Sequence, residues 1–151
     1  MRALSRILKL TTLTFSMSLL IPLNMVAQEE NSLVKMAEDP ALKWGPCPEF
    51  MPEGCKLAIL HGDPAKNNAD IFIRFDANSE IANHYHTSPE RMILVAGEME
   101  VTYEGEEPQN LNAGAYAYGP ALKHHSARCG DIPCLLFVAF EDPVDAIPVK
   151  N

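Results

Sequence analysis

Between Lys56 and Phe140 the chain alternates short apolar runs with clusters of Gly, Pro, Asn and Asp. Lys56 to His61, Ala69 to Asp76, Glu80 to His86, Arg91 to Ala96 and Met99 to Tyr103 read as strands. So do Gln109 to Asn112, Gly114 to Gly119, His124 to Cys129 and Cys134 to Phe140. In the second of these, Ile71, Ile73 and Phe75 fall on one face and Phe72 and Arg74 on the other, because strand side chains alternate. Breaks fall at Gly62-Asp63-Pro64, Asp76 to Ser79, Thr87-Ser88-Pro89, Glu104 to Pro108, Pro120 to Lys123 and Gly130 to Pro133, while Gly97-Glu98 predicts a hairpin. Many short strands with frequent turns predict an all-β sandwich or barrel, and 151 residues predict one domain.

The first 43 residues do not follow this pattern. Arg2, Arg6 and Lys9 precede an apolar run from Leu10 to Leu23, and Met25-Val26-Ala27 offers a small residue at a cleavage point before Gln28. That order predicts a signal peptide over 1–27; an uncleaved N-terminal anchor is the alternative, but the run is short and rich in hydroxyls for a span. Residues 28–43 are polar and acidic, with Ser32 to Ala37 weakly helical, which predicts a flexible segment or a short helix. The domain then occupies 44–145, followed by a Pro-containing tail over 146–151.

Export changes the reading of the cysteines, because disulfides persist in oxidising compartments such as a periplasm or the extracellular space. Four cysteines allow three pairings, and the short loops favour Cys47 with Cys55 and Cys129 with Cys134. Each bridge would contribute up to roughly 2–3 kcal/mol if unstrained. Three prolines and a glycine between Pro46 and Gly54 predict an irregular, stapled loop there. The net charge of −8 leaves no basic stripe to neutralise phosphates, which argues against a nucleic-acid partner.

The candidate chemistry is concentrated in His84-Tyr85-His86-Thr87-Ser88-Pro89-Glu90. Histidines two apart on a strand share a face and can reach one ion. The Thr-Ser-Pro turn lets the following strand bring Glu90 back towards them, and His125 offers a fourth ligand downstream. Imidazole and carboxylate together suit Fe, Mn, Ni, Zn or Cu rather than Ca or Mg.

His84, His86, Glu90 and Gly97 resemble the first cupin motif, HxH-x3-E-x6-G, and Gly114, Pro120 and His125 resemble the second, G-x5-P-x4-H. The likeness covers about Ile71 to Phe140; more narrowly, Trp44 to Asp145 is similar to small secreted single-domain cupins of undefined function. The resemblance implies a double-stranded β-helix, the jelly-roll barrel, with a divalent metal (Fe, Mn, Ni or Zn) held inside it by His84, His86, Glu90 and His125. It departs from the pattern at Asn78 and Leu122, where the family has Gly, and at Cys129, where it has Asn. Asn tolerates positive φ better than other non-Gly residues.

Other residues carry two readings each. Arg74 can hold a substrate carboxylate or pair with Glu80, Glu90 or a surface acid. Phe72, Met92, Tyr116 and Tyr118 can line a substrate pocket or simply pack. His124, beside His125, should face the opposite way. Two functions follow. One is a metal-dependent enzyme, a dioxygenase, isomerase or lyase acting on a small organic molecule, with Glu90 as candidate base. The other is a non-catalytic module that binds or senses a metal or small ligand. Either takes a small-molecule partner and allows a homodimer, without a stable membrane anchor.

Overall fold

The computed structural model describes residues 31–150; the expected leader over 1–27 lies outside them. The described residues contain eleven strands and no helix, so none is long and apolar enough to cross a membrane. In chain order they are β1 (Trp44–Pro46), β2 (Lys56–His61), β3 (Ala69–Phe75), β4 (Glu80–Tyr85), β5 (Glu90–Ala96), β6 (Glu98–Tyr103), β7 (Gln109–Asn112), β8 (Tyr116–Gly119), β9 (His125–Cys129), β10 (Cys134–Phe140) and β11 (Ile147–Pro148). They form two antiparallel sheets, β1-β2-β3-β10-β5-β8 and β11-β4-β9-β6-β7. This is the jelly-roll arrangement of a cupin barrel.

The core lies between the sheets. Alternation along β3, β5 and β10 sends Ile71 and Phe75, Met92 and Leu94, and Leu136, Val138 and Phe140 inward, where they meet Ile81, Met99, Val101 and Leu111 of the other sheet. A smaller cluster covers the outer face of the six-stranded sheet: Leu42, Ala58 and Phe72 are buried there, with Trp44 and Phe137 packed against them. Leu42 comes from the segment expected to be flexible. Residues 31–43 hold no helix; turns in which Asp39 N–H donates to Met36 O and Leu42 N–H to Asp39 O seat Leu42 on the sheet.

Three connections differ from the sequence expectation. Gly97 does not close a hairpin. β5 and β6 lie in different sheets, and Gly97, at φ 91°, turns the corner between them. A Cβ there would meet Pro133 O at 2.7 Å, so glycine is required by space as well as by φ. The tail is not merely loose chain, because Ile147 and Pro148 pair with Tyr85 and His84 as β11. Finally, β4 carries a bulge. Ile81 pairs with Ala127 but His84 with His125, so three residues on β4 oppose two on β9, and Ile81 and His84 both face inward.

Both disulfides are present, Cys47–Cys55 with Cα atoms 5.6 Å apart and Cys129–Cys134 with Cα atoms 5.9 Å apart. The second joins the end of β9 to the start of β10, and so ties one sheet to the other.

Candidate metal centre

The β4 bulge puts His84 beside His125 in register, and Tyr103 of β6 pairs with His125 on its other side. This sheet therefore presents a row of His84, His125 and Tyr103. The facing sheet presents Phe140, Glu90 and Gly119 in register on β10, β5 and β8. Glu90 thus approaches the histidines from the opposite sheet, not from a neighbouring strand, because the Thr87-Ser88-Pro89 turn crosses between sheets. His86 follows the end of β4 at the edge of the same space.

The three histidines are buried, and each offers a nitrogen such that all three lie within 4.8 Å of one another. Glu90 stands beside that trio, with Oε2 3.4 Å from His86 Nε2 and Oε1 3.4 Å from His125 Nε2. Each histidine is oriented through its other nitrogen. Nδ1 of His84 donates to Ala82 O at 2.8 Å, Nδ1 of His125 to Lys123 O at 3.1 Å, and Nδ1 of His86 to Asp145 O. A carbonyl only accepts, so the proton of each neutral ring sits on Nδ1 and leaves Nε2 as a bare lone pair. Burial drives the pKa of His84 down to about 4, against the Ala82 hydrogen bond, and that of His125 to about 3, where the neighbouring His84 adds to the effect. Burial likewise raises the Glu90 carboxyl above its ordinary value.

Two buried polar atoms here have no hydrogen-bond partner among the described residues, Glu90 Oε1 and the Tyr103 hydroxyl. Gly119 leaves the space they need, since a Cβ on it would meet Glu90 Oε1 at 2.7 Å and the Tyr103 hydroxyl at 3.0 Å. Imidazole lone pairs and a carboxylate thus face a cavity of about 70 Å³ walled otherwise by Met92, Val101, Leu136, Val138 and other apolar side chains. One water takes a share of roughly 30 Å³ in the liquid, so the space suits an ion with one or two small atoms. A transition-metal ion fits this donor set.

The remaining expected site residues separate cleanly. Met92 lines the cavity. Arg74 and Phe72 do not, because alternation along β3 places both on the outer face, where Arg74 lies over the Trp44 ring at 4.6 Å and Phe72 packs edge-on to Phe137. Tyr116 and Tyr118 also point away from the cavity, at 62% and 50% exposure on the outside of β8. His124 faces outward, stacked on Tyr85 and 3.6 Å from Glu104.

Three contributors escaped the sequence reading. Asp145 accepts from His86 through its carbonyl, and its carboxylate takes the Thr87 N–H at 2.9 Å and hydroxyl at 2.7 Å. At the end of the domain, after Glu141 and Asp142, it reads as one more surface acid and gives no local signal. Ser88 is fully buried; its Oγ accepts from Glu141 and Asp142 N–H and donates to Pro89 O. Phe50, on the Cys47–Cys55 loop, brings its ring to 5.9 Å from that of His84. A larger cleft of about 440 Å³, over Glu98, Glu100, Arg128 and Asp131, opens at the Cys129 end of β9, the end opposite His125.

The family described as the ChrR Cupin-like domain matches residues 33–143. No curated protein sequence matches the chain. Among solved structures, the chain is similar to DMSP lyase DddQ from Ruegeria pomeroyi DSS-3, at 20% identity and a TM-score of 0.63, over 72% of this chain and 61% of the lyase. An RmlC-like cupin from Shewanella frigidimarina NCIMB 400 aligns at 22% identity and a TM-score of 0.59, over 76% of this chain and 93% of that one. Oxalate decarboxylase from Bacillus subtilis, a protein with Mn(II) centres, aligns at 15% identity and a TM-score of 0.59, over 72% of this chain and 30% of the decarboxylase. The chain thus spans less than two thirds of the lyase, and these identities bear on the fold alone. With the family match running through most of the two-sheet barrel and both of its histidine-bearing strands, the chain belongs to the cupin family of ChrR Cupin-like domains.

Proposed function

We propose that the protein is an exported metal-dependent cupin that holds one divalent transition metal on His84, His86 and His125, with Glu90 as fourth ligand, and acts on a small organic molecule. The observation that carries this is a shortage of protons. Each imidazole, when neutral, spends its one proton on a backbone carbonyl, and the remaining lone pairs share a largely apolar-walled cavity with a carboxylate oxygen that has no hydrogen-bond partner among the described residues. The Tyr103 hydroxyl is the one unspent donor beside these buried acceptors, too few for three lone pairs and a carboxylate; such crowding is costly, and a cation removes that cost. Fixing the distal nitrogen of a ligating histidine on a carbonyl also sets its tautomer and raises its basicity.

When bound, Fe, Mn, Ni or Zn would supply Lewis-acid or dioxygenase-type chemistry. The chain's own part is to orient the three rings, to exclude water with Met51 and Met92, and to present Glu90. Burial raises the pKa of that carboxyl above its ordinary value, which suits a group that takes a proton from a substrate. Export is supported by the charged-apolar-small order of the first 27 residues and by two disulfides, which suit a periplasm or the extracellular space. A soluble monomer or homodimer without an anchor accords with this reading.

Metal analysis of protein prepared without a histidine tag tests the proposal. About one equivalent of a transition metal is expected, falling sharply on His84→Ala, His86→Ala or His125→Ala and little on His124→Ala. Metal retained in the His125 variant and lost in the His124 variant would refute the ligand set. Metal held without turnover of any substrate would favour the second reading, a binding or sensing module.

A further inference from the structure

A second cavity, of about 260 Å³, lies against the metal cavity and shares four wall residues with it: Met51, Ile73, Phe75 and His86. It is bounded by the Cys47–Cys55 loop, by β2 and β3, and by the segment leading to the tail. Leu57, Ile59, Ile71, Phe140 and Val144 add to its apolar lining, and among the described residues no Lys or Arg lines either cavity. Its polar side chains are His86 and Asp145, and both are occupied. His86 donates to the Asp145 carbonyl, while the Asp145 carboxylate accepts the Thr87 N–H and hydroxyl. The only cation that β3 might have supplied, Arg74, lies on the outer face over Trp44. An anionic group in this space would find no countercharge beyond the metal itself, a cationic one only the Asp145 carboxylate, whose two oxygens already take the Thr87 N–H and hydroxyl, and a poorly paired buried charge is strongly disfavoured.

We infer that this cavity takes the apolar body of an uncharged small molecule, whose single polar group reaches past Met51 and His86 to the metal. The inference rests on the proposed metal site. The volume approaches the lower bound of ligand pockets, roughly 300 Å³. It exceeds the ~150 Å³ in which a dry apolar cavity accepts benzene, so one aromatic ring or a short branched alkyl chain fits. The ring of His86 stands between the two spaces, with Nε2 towards Glu90 on the metal side and Phe140 5.4 Å from its centroid. A substrate anchored in the apolar cavity is thereby directed to the ion along one edge of that ring. The mouth is set by Ile59, which is 44% exposed, and by Met51, which the Cys47–Cys55 bridge and its turns hold in place.

Three ring compounds that differ in charge test this: benzyl alcohol, benzoate and benzylamine, titrated into the full chain loaded with zinc and again after chelation. The readout is the methyl resonances of Met51, Ile59 and Ile73. Benzyl alcohol should shift all three saturably in both samples. In the chelated sample, where a carboxylate cannot ligate the ion, benzoate and benzylamine should bind at least about tenfold more weakly. Met51→Trp, and independently Ile59→Trp at the rim, should each weaken benzyl alcohol by about tenfold or more. Failure of benzyl alcohol to saturate, or equal or tighter binding of either charged compound in the chelated sample, overturns the inference. Zinc content measured on the same samples keeps the two readings apart. A chain that holds no zinc but binds benzyl alcohol sinks the metal site and not the cavity; one that holds zinc and ignores benzyl alcohol sinks the cavity alone.

Discussion

Leu122 and Asn78 stand where the cupin pattern has glycine, and both have left-handed backbone, at φ 62° and 61°. The fold kept the glycine conformation and changed the residue. For Leu122 this is strained, yet its N–H donates to His86 O at 2.8 Å and so fixes the backbone of a candidate ligand. Its side chain is 62% exposed, so little packing is lost with it. Leu122→Gly should therefore raise stability by about 1 kcal/mol after the added freedom of the unfolded chain is deducted, seen as a later urea midpoint; an earlier midpoint would show the strain is absent. The buried titrating groups give a second residue-scale prediction. His84 and His125 fall from 6.5 to about 4 and about 3 on folding, so between those values and 6.5 the unfolded chain binds more protons. Their contribution to stability is complete above 6.5 and is lost as pH falls towards 4. Glu90 is shifted the other way: its contribution is complete below 4.5 and is lost as pH rises through its raised folded value. Two groups outweigh one, so the metal-free protein should gain stability from pH 4.5 to 6.5, and Glu90→Gln should steepen that gain. Urea midpoints that stay flat with pH would contradict the assigned burial of the rings.

Among the elements, β4 and the turn after it decide the site. Strict alternation from Ile81 would turn His84 outward; the bulge at Ala82 and Asn83 resets the phase, and Ala82 O then receives the His84 proton. The turn after His86 is held by Ser88, whose Oγ satisfies two backbone N–H groups at the end of β10. Ser88→Ala would take the partner from two part-buried donors, a cost of about 1 kcal/mol or more. Because the same turn carries His86 and Glu90, that variant should also lose metal affinity, whereas a surface substitution such as Thr102→Ser should lose neither. Denaturant unfolding and metal titration on the two variants read this directly; an unchanged midpoint for Ser88→Ala would show that water replaces the hydroxyl.

At the scale of the whole molecule, the two disulfides do different things. Cys129 and Cys134 are wholly buried and tie the sheets together at the end opposite His125, while Cys47 is partly exposed and its loop carries Met51 to the cavities and Phe50 to the ring of His84. Mild reductant should therefore open Cys47–Cys55 first, because attack needs access to a sulfur. Alkylation and peptide mapping over time would check the order. Opening that bridge should weaken apolar-ligand binding with modest loss of stability; opening the other should cost up to about 3 kcal/mol of stability. Simultaneous modification of all four cysteines would count against this division.

The strands were legible because each is short, apolar and bounded by Gly, Pro, Asn or Asp, and their alternation assigned the faces of β3, with Arg74 already opposite Ile71 and Ile73. The two histidine-bearing motifs were legible from spacing, since ligands from one strand must lie two apart. Spacing along one strand carries no information about which sheet faces which. For that reason Gly97 passed for a hairpin when it is a corner, and Tyr116 and Tyr118, read as pocket wall or packing, lie away from the metal cavity on a separate surface cleft. The shifted register between Ile81 and His84, the carbonyl of Asp145 beneath His86, and the lack of Lys or Arg around the apolar cavity among the described residues come from residues far apart in sequence. Only closure of the barrel brings them together. The sequence by itself determined the donor atoms; the tertiary structure decided where their protons go and how little charge their surroundings can hold.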